Sequence, residues 1–223
     1  MTPEKRLEEL YTMLYEFDVQ TGNHAAEKVI KAPQEWGKTT FVPFYGAAAR
    51  LILDARQELD KKRNGNAAAV KRYYKSCTAT YNDRLHGKAI TPEGLTVLCN
   101  GYSVIAVNGD YTTIPETEAP EDFKKGIFKF IVFPEYLEEI TPPTIAEAKA
   151  KKAENTAQYG KKNYKSIPIA EDITVNPDTY IDIMGALQDA KAYIDPTANR
   201  KNTPIYFINE AGEKAMLLQK RDM

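Results

Sequence analysis

"LTVLCNGYSVIAVNGD" spans residues 95–110 and holds two apolar runs on either side of an Asn-Gly pair. Two apolar runs joined in this way form the strongest short-range signal for a β-hairpin. We expect a two-residue loop at Asn100-Gly101, which places Cys99 opposite Tyr102 and Val97 opposite Val104. In this register one face is entirely apolar or aromatic and is predicted to be core: Leu95, Val97, Cys99, Tyr102, Val104 and Ala106. The other face is mixed and is expected to be partly covered: Thr96, Leu98, Ser103 and Ile105.

The composition is that of an ordinary globular protein. The chain has 223 residues, of which 43% are apolar and 27% are charged, and its formal net charge is −1. A molecule with this charge is not a nucleic-acid binder through its overall field, so any such role must rest on a local cluster of cations. Cys77 and Cys99 stand in apolar contexts and are predicted to be buried free thiols.

The expected location is the reducing cytoplasm. The first ten residues, "MTPEKRLEEL", are charged and polar, unlike a secretory signal, and no apolar run approaches the ~20 residues of a membrane span. We therefore expect no contact with a membrane. No cofactor and no metal is expected, because the two cysteines and two histidines do not show the spacing of ligands.

Residues 1–66 are predicted to form a helical region. Leu7, Leu10, Leu14 and Phe17 recur at helical spacing after a Thr-Pro start. A second helix is predicted from about residue 44 to residue 63. Its expected apolar stripe consists of Ala48, Leu51, Ile52, Ala55 and Leu59.

Residues 67–223 alternate between helical and strand patterns and are predicted to form one α+β domain. A helix from residue 67, a short strand at 89–90 and the opening hairpin make one unit. A helix capped by Asn176, the strand "KAYI" and a hairpin around Ala211-Gly212 make a second. In the second hairpin we expect Phe207 opposite Met216. Both of its faces are apolar, so it is either central in a sheet or part of an interface.

The order helix, strand, hairpin thus occurs twice, which indicates a pseudo-duplicated domain. The segment "IVFPEYLEEI" at 131–140 also has a pattern similar to that of "TVNPDTYIDIM" at 174–184. The similar pattern predicts that both segments consist of a strand that leads into a helix.

The C-terminal part resembles a known family. "VNPDTYIDIMGALQDAKAYID" at 175–195, followed by "TPIYFINEAGEKAMLLQKR" at 203–221, is similar to the last half-domain of the bacterial DNA polymerase sliding clamp (beta subunit). Tyr180 and Ile181 match the Tyr-Leu pair of that motif, and Arg221 falls near its final Arg. The segment 76–107 also resembles uncharacterised proteins of phages and mobile elements that carry an apolar "C-x-G-Y" hairpin.

This resemblance implies a clamp-like domain of paired helix–strand–hairpin units, with helices on one sheet face, that acts in DNA transactions of a phage or mobile element. In the family, helices of this kind are basic and face DNA. Here the predicted second helix region carries Asp178, Asp182 and Asp189, so we expect weak, one-sided contact rather than a ring that encircles a duplex.

A basic segment supplies the candidate nucleic-acid contacts. Residues 61–88 hold eight Lys and Arg against the single acid Asp83, with tyrosines interleaved. Basic and aromatic side chains together bind phosphates and stack on bases. The alternative is a solvated helix face. The predicted contacts to DNA or RNA are Lys61, Lys62, Arg63, Lys71, Arg72, Tyr74 and Lys75.

An acidic segment supplies the candidate partner surface. Residues 108–140 hold eight acids and three lysines. The second hypothesis is therefore a phage effector that binds and inhibits a host protein, either as an anti-defence factor or by resembling nucleic acid in charge. The residues predicted to contact a host or phage protein are Glu116, Glu118, Glu121 and Asp122.

No catalytic motif is recognisable, and the chain is predicted not to be an enzyme. "WGKTT" at 36–40 lacks the upstream glycine of a phosphate-binding loop. A carboxylate-based hydrolase is the third hypothesis, because its acids need no local motif. Since the second hairpin is apolar on both faces and a single domain leaves sheet edges open, we expect a homo-oligomer or a stable hetero-complex.

Overall fold

The computed structural model describes residues 3–21, 25–31, 33, 43–63, 65–80, 82–160, 165–198 and 203–220. The protein is of the α+β class, as predicted, and begins with helices. The chain divides into two compact units. The first is Met1–Gly65 with Asp110–Pro115, and the second is Asn66–Gly109 with Glu116–Met223.

The first unit is helical. Its helices are α1 (Pro3–Thr21), α2 (Ala26–Lys31) and α3 (Pro43–Arg63). Leu10 and Leu14 of α1 are buried with Ile52 of α3 in one apolar cluster, as their spacing predicts. The inclusion of Leu51 in the buried stripe is wrong, since 49% of that residue is exposed.

The second unit contains one large sheet and four helices in its described part. Its elements are α4 (Ala67–Thr78), β1 (Ala89–Ile90), β2 (Thr96–Cys99), β3 (Ser103–Val107), α5 (Glu121–Phe128), β4 (Glu138–Ile140), α6 (Ile145–Tyr159), β5 (Ile167–Ala170), β6 (Ile173–Val175), α7 (Pro177–Ala186), β7 (Lys191–Ile194), β8 (Ile205–Ile208) and β9 (Lys214–Leu217). Seven of the described strands form an antiparallel sheet in the order β1-β2-β3-β9-β8-β7-β4, and β5 pairs with β6 separately.

Both faces of the sheet are covered. On one face lie α4 and α7, where the hydroxyls of Tyr73 and Ser103 are 2.7 Å apart and the rings of Tyr180 and Phe207 are 6.1 Å apart. On the other face lies α5 with a 3₁₀ turn at Lys129–Ile131. The apolar cluster on this second face consists of Val97, Cys99, Val104, Ala106, Ile127, Ile131, Tyr206 and Met216.

The first hairpin has a different register from the one predicted. Cys99 pairs with Val104, and the loop is Gly101-Tyr102, because the side-chain oxygen of Asn100 accepts the N–H groups of Tyr102 and Ser103 at 3.0 and 2.9 Å. Gly101 takes the positive φ of 85° that this loop requires. A shift of two residues keeps each side chain on its predicted face. Tyr102, however, leaves the core and is 73% exposed.

The opposite face of this hairpin is also more buried than expected. Thr96, Leu98, Ser103 and Ile105 are all buried rather than partly covered. Helix α4 contacts β2 on this face, and the hydroxyl of Tyr73 reaches Ser103. The hairpin is therefore a two-sided part of the core.

The second hairpin slips by one residue from its predicted register. Phe207 pairs with Ala215, not Met216, because three residues, 210–212, form the loop and Gly212 adopts a φ of 77°. Asn209 closes the loop through its N–H to the carbonyl of Glu213 at 3.2 Å. Strands β8 and β9 lie inside the sheet, so the hairpin is apolar on both faces because both faces are covered.

The two segments of similar pattern, 131–140 and 174–184, adopt different structures. Residues 174–184 run from β6 into α7, whereas 131–140 run from the end of a 3₁₀ turn to β4 without a helix. In α7 the side chain of Asn176 accepts the N–H of Asp178 at 2.9 Å and thereby caps the helix. Phe133 stands at the equivalent place in the first segment and offers no acceptor for a cap. The similarity of pattern therefore does not predict the structure of 131–140.

Candidate functional site

The basic candidate residues of the second unit lie on α4. Val70, Tyr73 and Cys77 recur at helical spacing and are fully buried. Because this stripe faces the sheet, the intervening cations Arg72 and Lys75 are exposed. Lys71 and Tyr74 are half-buried at the flanks of the stripe.

Acidic side chains of α7 pair with cations from both neighbouring helices. Arg72 Nε of α4 donates to Asp182 Oδ1 at 2.9 Å, and Lys152 of α6 pairs with Asp178. Burial raises the pKa of the Asp182 carboxyl, and the hydrogen bond from Arg72 opposes this rise. Asp189 lies beyond the end of α7 at Ala186, so its placement on that helix is corrected. The two acids that the helix does carry each have a cationic partner.

The helical layer formed by α4, α7 and α6 is therefore not acidic. Its three helices contain six Lys and Arg against four Asp and Glu. Two of the four acids, Asp178 and Asp182, are in ion pairs within the layer. The remaining surplus is cationic, and it includes the exposed Lys75.

The first three basic candidates belong to the other unit. Lys61, Lys62 and Arg63 form the last turn of α3 in the helical unit. Their side chains lie outside the described residues. The described contacts of the candidate interface are thus those of Lys71, Arg72, Tyr74 and Lys75.

The acidic candidates lie before α5 and in its first turn. Glu116 pairs through its backbone with Lys88, and Glu118 is exposed. Glu121 accepts from Lys124 Nζ at 2.9 Å, and this hydrogen bond lowers the pKa of its carboxyl. Asp122 is exposed at the start of the helix, where the partial positive charge of the helix end favours a carboxylate.

An apolar groove of about 660 Å³ lies between α5 and the sheet, and the sequence did not indicate it. Its walls come from β2–β3, from α5 with the following 3₁₀ turn, and from β8–β9. Asp122 and Lys129 are the charged residues that line it. Apolar side chains that are exposed at or near it are Tyr102, Phe130, Val132 and Leu218. In the sequence, the spacing of Phe123, Gly126 and Phe130 indicates that these residues share one flank of a helical segment. The spacing does not show which strands face that flank.

The two cysteines are buried free thiols, as predicted. Cys77 is fully buried on the side of α4 that faces the sheet, and Cys99 lines the groove with 8% of its surface exposed. Burial raises the pKa of both thiols. Since the thiolate is the nucleophile, neither residue is set up for covalent catalysis.

Within the described ranges, no group of three His, Cys, Asp or Glu is placed to hold a metal ion. The helices of those ranges do not combine the length and apolar character that a membrane span needs. Comparisons of the chain with models of protein families, with curated proteins and with solved structures give no match. The assignment of function therefore rests on the residues and their geometry.

Proposed function

We propose that the chain is a non-enzymatic binding protein whose second unit is a pseudo-duplicated, clamp-like domain. This domain makes weak contact with DNA through α4, in DNA transactions of a phage or mobile element. The observation that carries the proposal is the strand order β1-β2-β3-β9-β8-β7. Each half is a helix, a short strand and a hairpin, and the last strands of the two hairpins, β3 and β9, pair at the centre.

The helices of the two halves, α4 and α7, also support a two-fold relation between the halves. Asn66 at the start of α4 donates to the carbonyl of Ala186 at the end of α7, so the helices run antiparallel. A Cβ placed on Gly185 would lie 3.1 Å from the Cβ of Ala69, so the helices cross closely. Antiparallel helices over antiparallel central strands are the arrangement expected of two halves related by a two-fold axis.

The charge of the helical layer supports the DNA contact. The acidic residues of α7 were the main feature that argued against contact between the helical layer and phosphates. Asp178 and Asp182 are paired with Lys152 and Arg72, so their charge is offset within the layer. Lys75 remains exposed on α4, beside the half-buried Lys71. A short row of cations with little net charge elsewhere favours weak, salt-sensitive, one-sided binding.

The test is fluorescence anisotropy with labelled duplex and single-stranded oligonucleotides at low salt. The double variant Lys71→Glu/Lys75→Glu should bind at least about tenfold more weakly, because each charge near a phosphate contributes about 1 kcal/mol even in water. Arg72 is left unchanged, since its replacement would also disturb Asp182. Lys125→Glu is the matched control. It makes the same charge change as the single variant Lys75→Glu, but on α5, across the sheet from α4, and should bind like the wild type, whereas Lys75→Glu should bind more weakly.

Two results would reject this interface. One is equal weakening by Lys125→Glu and Lys75→Glu, since that reflects only net charge. The other is the absence of wild-type binding below about 100 µM, the weak end of non-specific affinities. Thermal unfolding of each variant would show that the fold is intact, because exposed charges contribute little to stability.

The acidic segment stays the second candidate, as a surface for a host or phage protein. The observation that favours it is the exposed position of Glu118 and Asp122, of which Asp122 also lines the apolar groove. Stable co-purification of one protein at 0.5 M salt, abolished by Glu118→Lys/Asp122→Lys, would support it. At that salt, contacts that depend on charge alone are largely screened.

A further inference from the structure

The flank of α5 that faces the apolar groove, continued by the 3₁₀ turn at Lys129–Ile131, leaves Asp122, Lys129 and Phe130 exposed. Asp122, Phe123, Gly126, Lys129 and Phe130 all line the groove. We propose that this flank binds a second copy of the chain, through an antiparallel crossing of α5 centred on Gly126. The proposal is independent of the DNA contact, since α4 lies on the other face of the sheet.

Gly126 is the first observation. It lies in the interior of α5 without a positive φ, where glycine favours the helix less than alanine does. A Cβ placed on it would meet no described atom within 4 Å. Packing within the described chain therefore does not require a glycine here. A second helix that crosses at this point would require one, because a side chain would hold the two backbones apart.

The charges are the second observation. Asp122 lies four residues before Gly126, and Lys129 lies three residues after it. When two copies of a helix cross antiparallel, residues at similar distances before and after the centre meet. Asp122 of each copy then faces Lys129 of the other, and a two-fold interface needs such self-complementarity. Neither residue forms an ion pair among the described residues.

The apolar residues follow the same arrangement. Phe123 lies three residues before Gly126 and Phe130 four residues after it, so Phe123 of one copy meets Phe130 of the other. Half of Phe130 is exposed, as is 74% of Val132. Exposed apolar side chains grouped around a groove are typical of an interaction site.

The edges of the sheet are poor alternatives for self-association. Strand β1 has two residues, and β4 presents the exposed Glu138 and Glu139. Short edge strands and charged edge residues are the devices that prevent edge-to-edge pairing. Our expectation of an oligomer through open edges is therefore replaced by docking through α5.

Sedimentation equilibrium at tens of micromolar tests the proposal. The wild type should have twice the 25.1 kDa mass of one chain. Asp122→Lys alone and Lys129→Asp alone each oppose like charges at two places and should shift the protein to monomer. The double variant Asp122→Lys/Lys129→Asp, and an equimolar mixture of the two single variants, should restore the dimer.

Gly126 gives a test that separates binding from folding. Gly126→Leu should dissociate the dimer, whereas the thermal stability of the monomer should not fall, because the position opens to free space and leucine favours helix. A monomeric wild type would overturn the proposal. A dimer that persists in all of these variants would also overturn it, as would failure of the charge-swapped double variant to restore the dimer.

Discussion

Val97→Asp tests the assignment of the sheet face under α5. Val97 lies on β2 in the apolar cluster with Val104 and Ile127, and only 2% of it is exposed. The substitution keeps a similar size and adds a carboxyl group to a cluster whose described residues include no cation. We expect the second unit to be largely unfolded at pH 7 and 25 °C.

The loss of stability expected for Val97→Asp is the sum of two contributions. Loss of the buried valine side chain costs about 1.5–3 kcal/mol. Full burial raises the pKa of a carboxyl group by about 3–5 units, and each unit corresponds to about 1.36 kcal/mol. The folded state escapes a larger cost by taking up a proton, so at pH 7 the second contribution is limited to about 4 kcal/mol, the cost of protonating a carboxyl group whose unfolded pKa is about 3.9. Together they approach the whole stability of a domain, about 5–15 kcal/mol.

The penalty should depend on pH with a definite sign. The carboxyl pKa of residue 97 is raised in the folded state, so the folded state holds its proton more tightly than the unfolded state. The destabilisation is full above the raised pKa and shrinks as the pH falls, by about 1.4 kcal/mol per pH unit. Urea unfolding followed by circular dichroism at pH 7 and pH 5 measures this difference.

Val132→Asp is the matched control. It makes the same change in the same unit at a residue that is 74% exposed, and in the monomer its effect should stay within about 0.5 kcal/mol. If Val97→Asp unfolds at the wild-type urea concentration, or if its penalty does not change with pH, the side chain is not buried and the face assignment is wrong.

Three further predictions concern α7 and the thiols. Arg72→Gln removes the cation that opposes the rise in the pKa of Asp182. The free energy of unfolding lost on this substitution, measured by urea unfolding, should therefore be greater at pH 7 than at pH 4. Equal losses at the two pH values would contradict the pairing. Asn176→Ala should lower the free energy of unfolding by about 1 kcal/mol and Asn176→Asp by less, because aspartate retains the capping oxygen; equal losses would count against the cap. Iodoacetamide at pH 8 should label Cys77 and Cys99 only in denaturant, because burial raises the pKa of both thiols; rapid labelling of the native protein would refute this.

Local pattern predicted the elements better than their registers. The alternation in 95–107 identified the hairpin and assigned Val97 and Val104 to one face, because face depends only on parity. The register depended on the side chain of Asn100, which accepts two N–H groups and moves the loop by one residue. In the second hairpin, a three-residue loop changed the pairing of Phe207. Loop hydrogen bonds of this kind do not alter the hydrophobic pattern from which the prediction came.

The candidate site was predictable only along single helices. Helical spacing placed Arg72 and Lys75 on the exposed side of α4. The ion pair between Arg72 and Asp182 joins residues 110 positions apart, so it depends on how α4 and α7 pack. The apolar groove likewise needs Val104, Phe123 and Met216 from three distant segments. Spacing within a segment does not reveal either arrangement.

We propose above that α4, as part of a clamp-like domain, contacts DNA phosphates. The most direct measurement is the affinity of the wild-type protein for a labelled duplex by fluorescence anisotropy, as a function of salt concentration. Two to three contacts from Lys71, Arg72 and Lys75 predict that the logarithm of the association constant falls with the logarithm of the salt concentration with a slope of roughly −2 to −3. An association constant that does not change with salt, or no binding at about 100 µM in low salt, would contradict the claim.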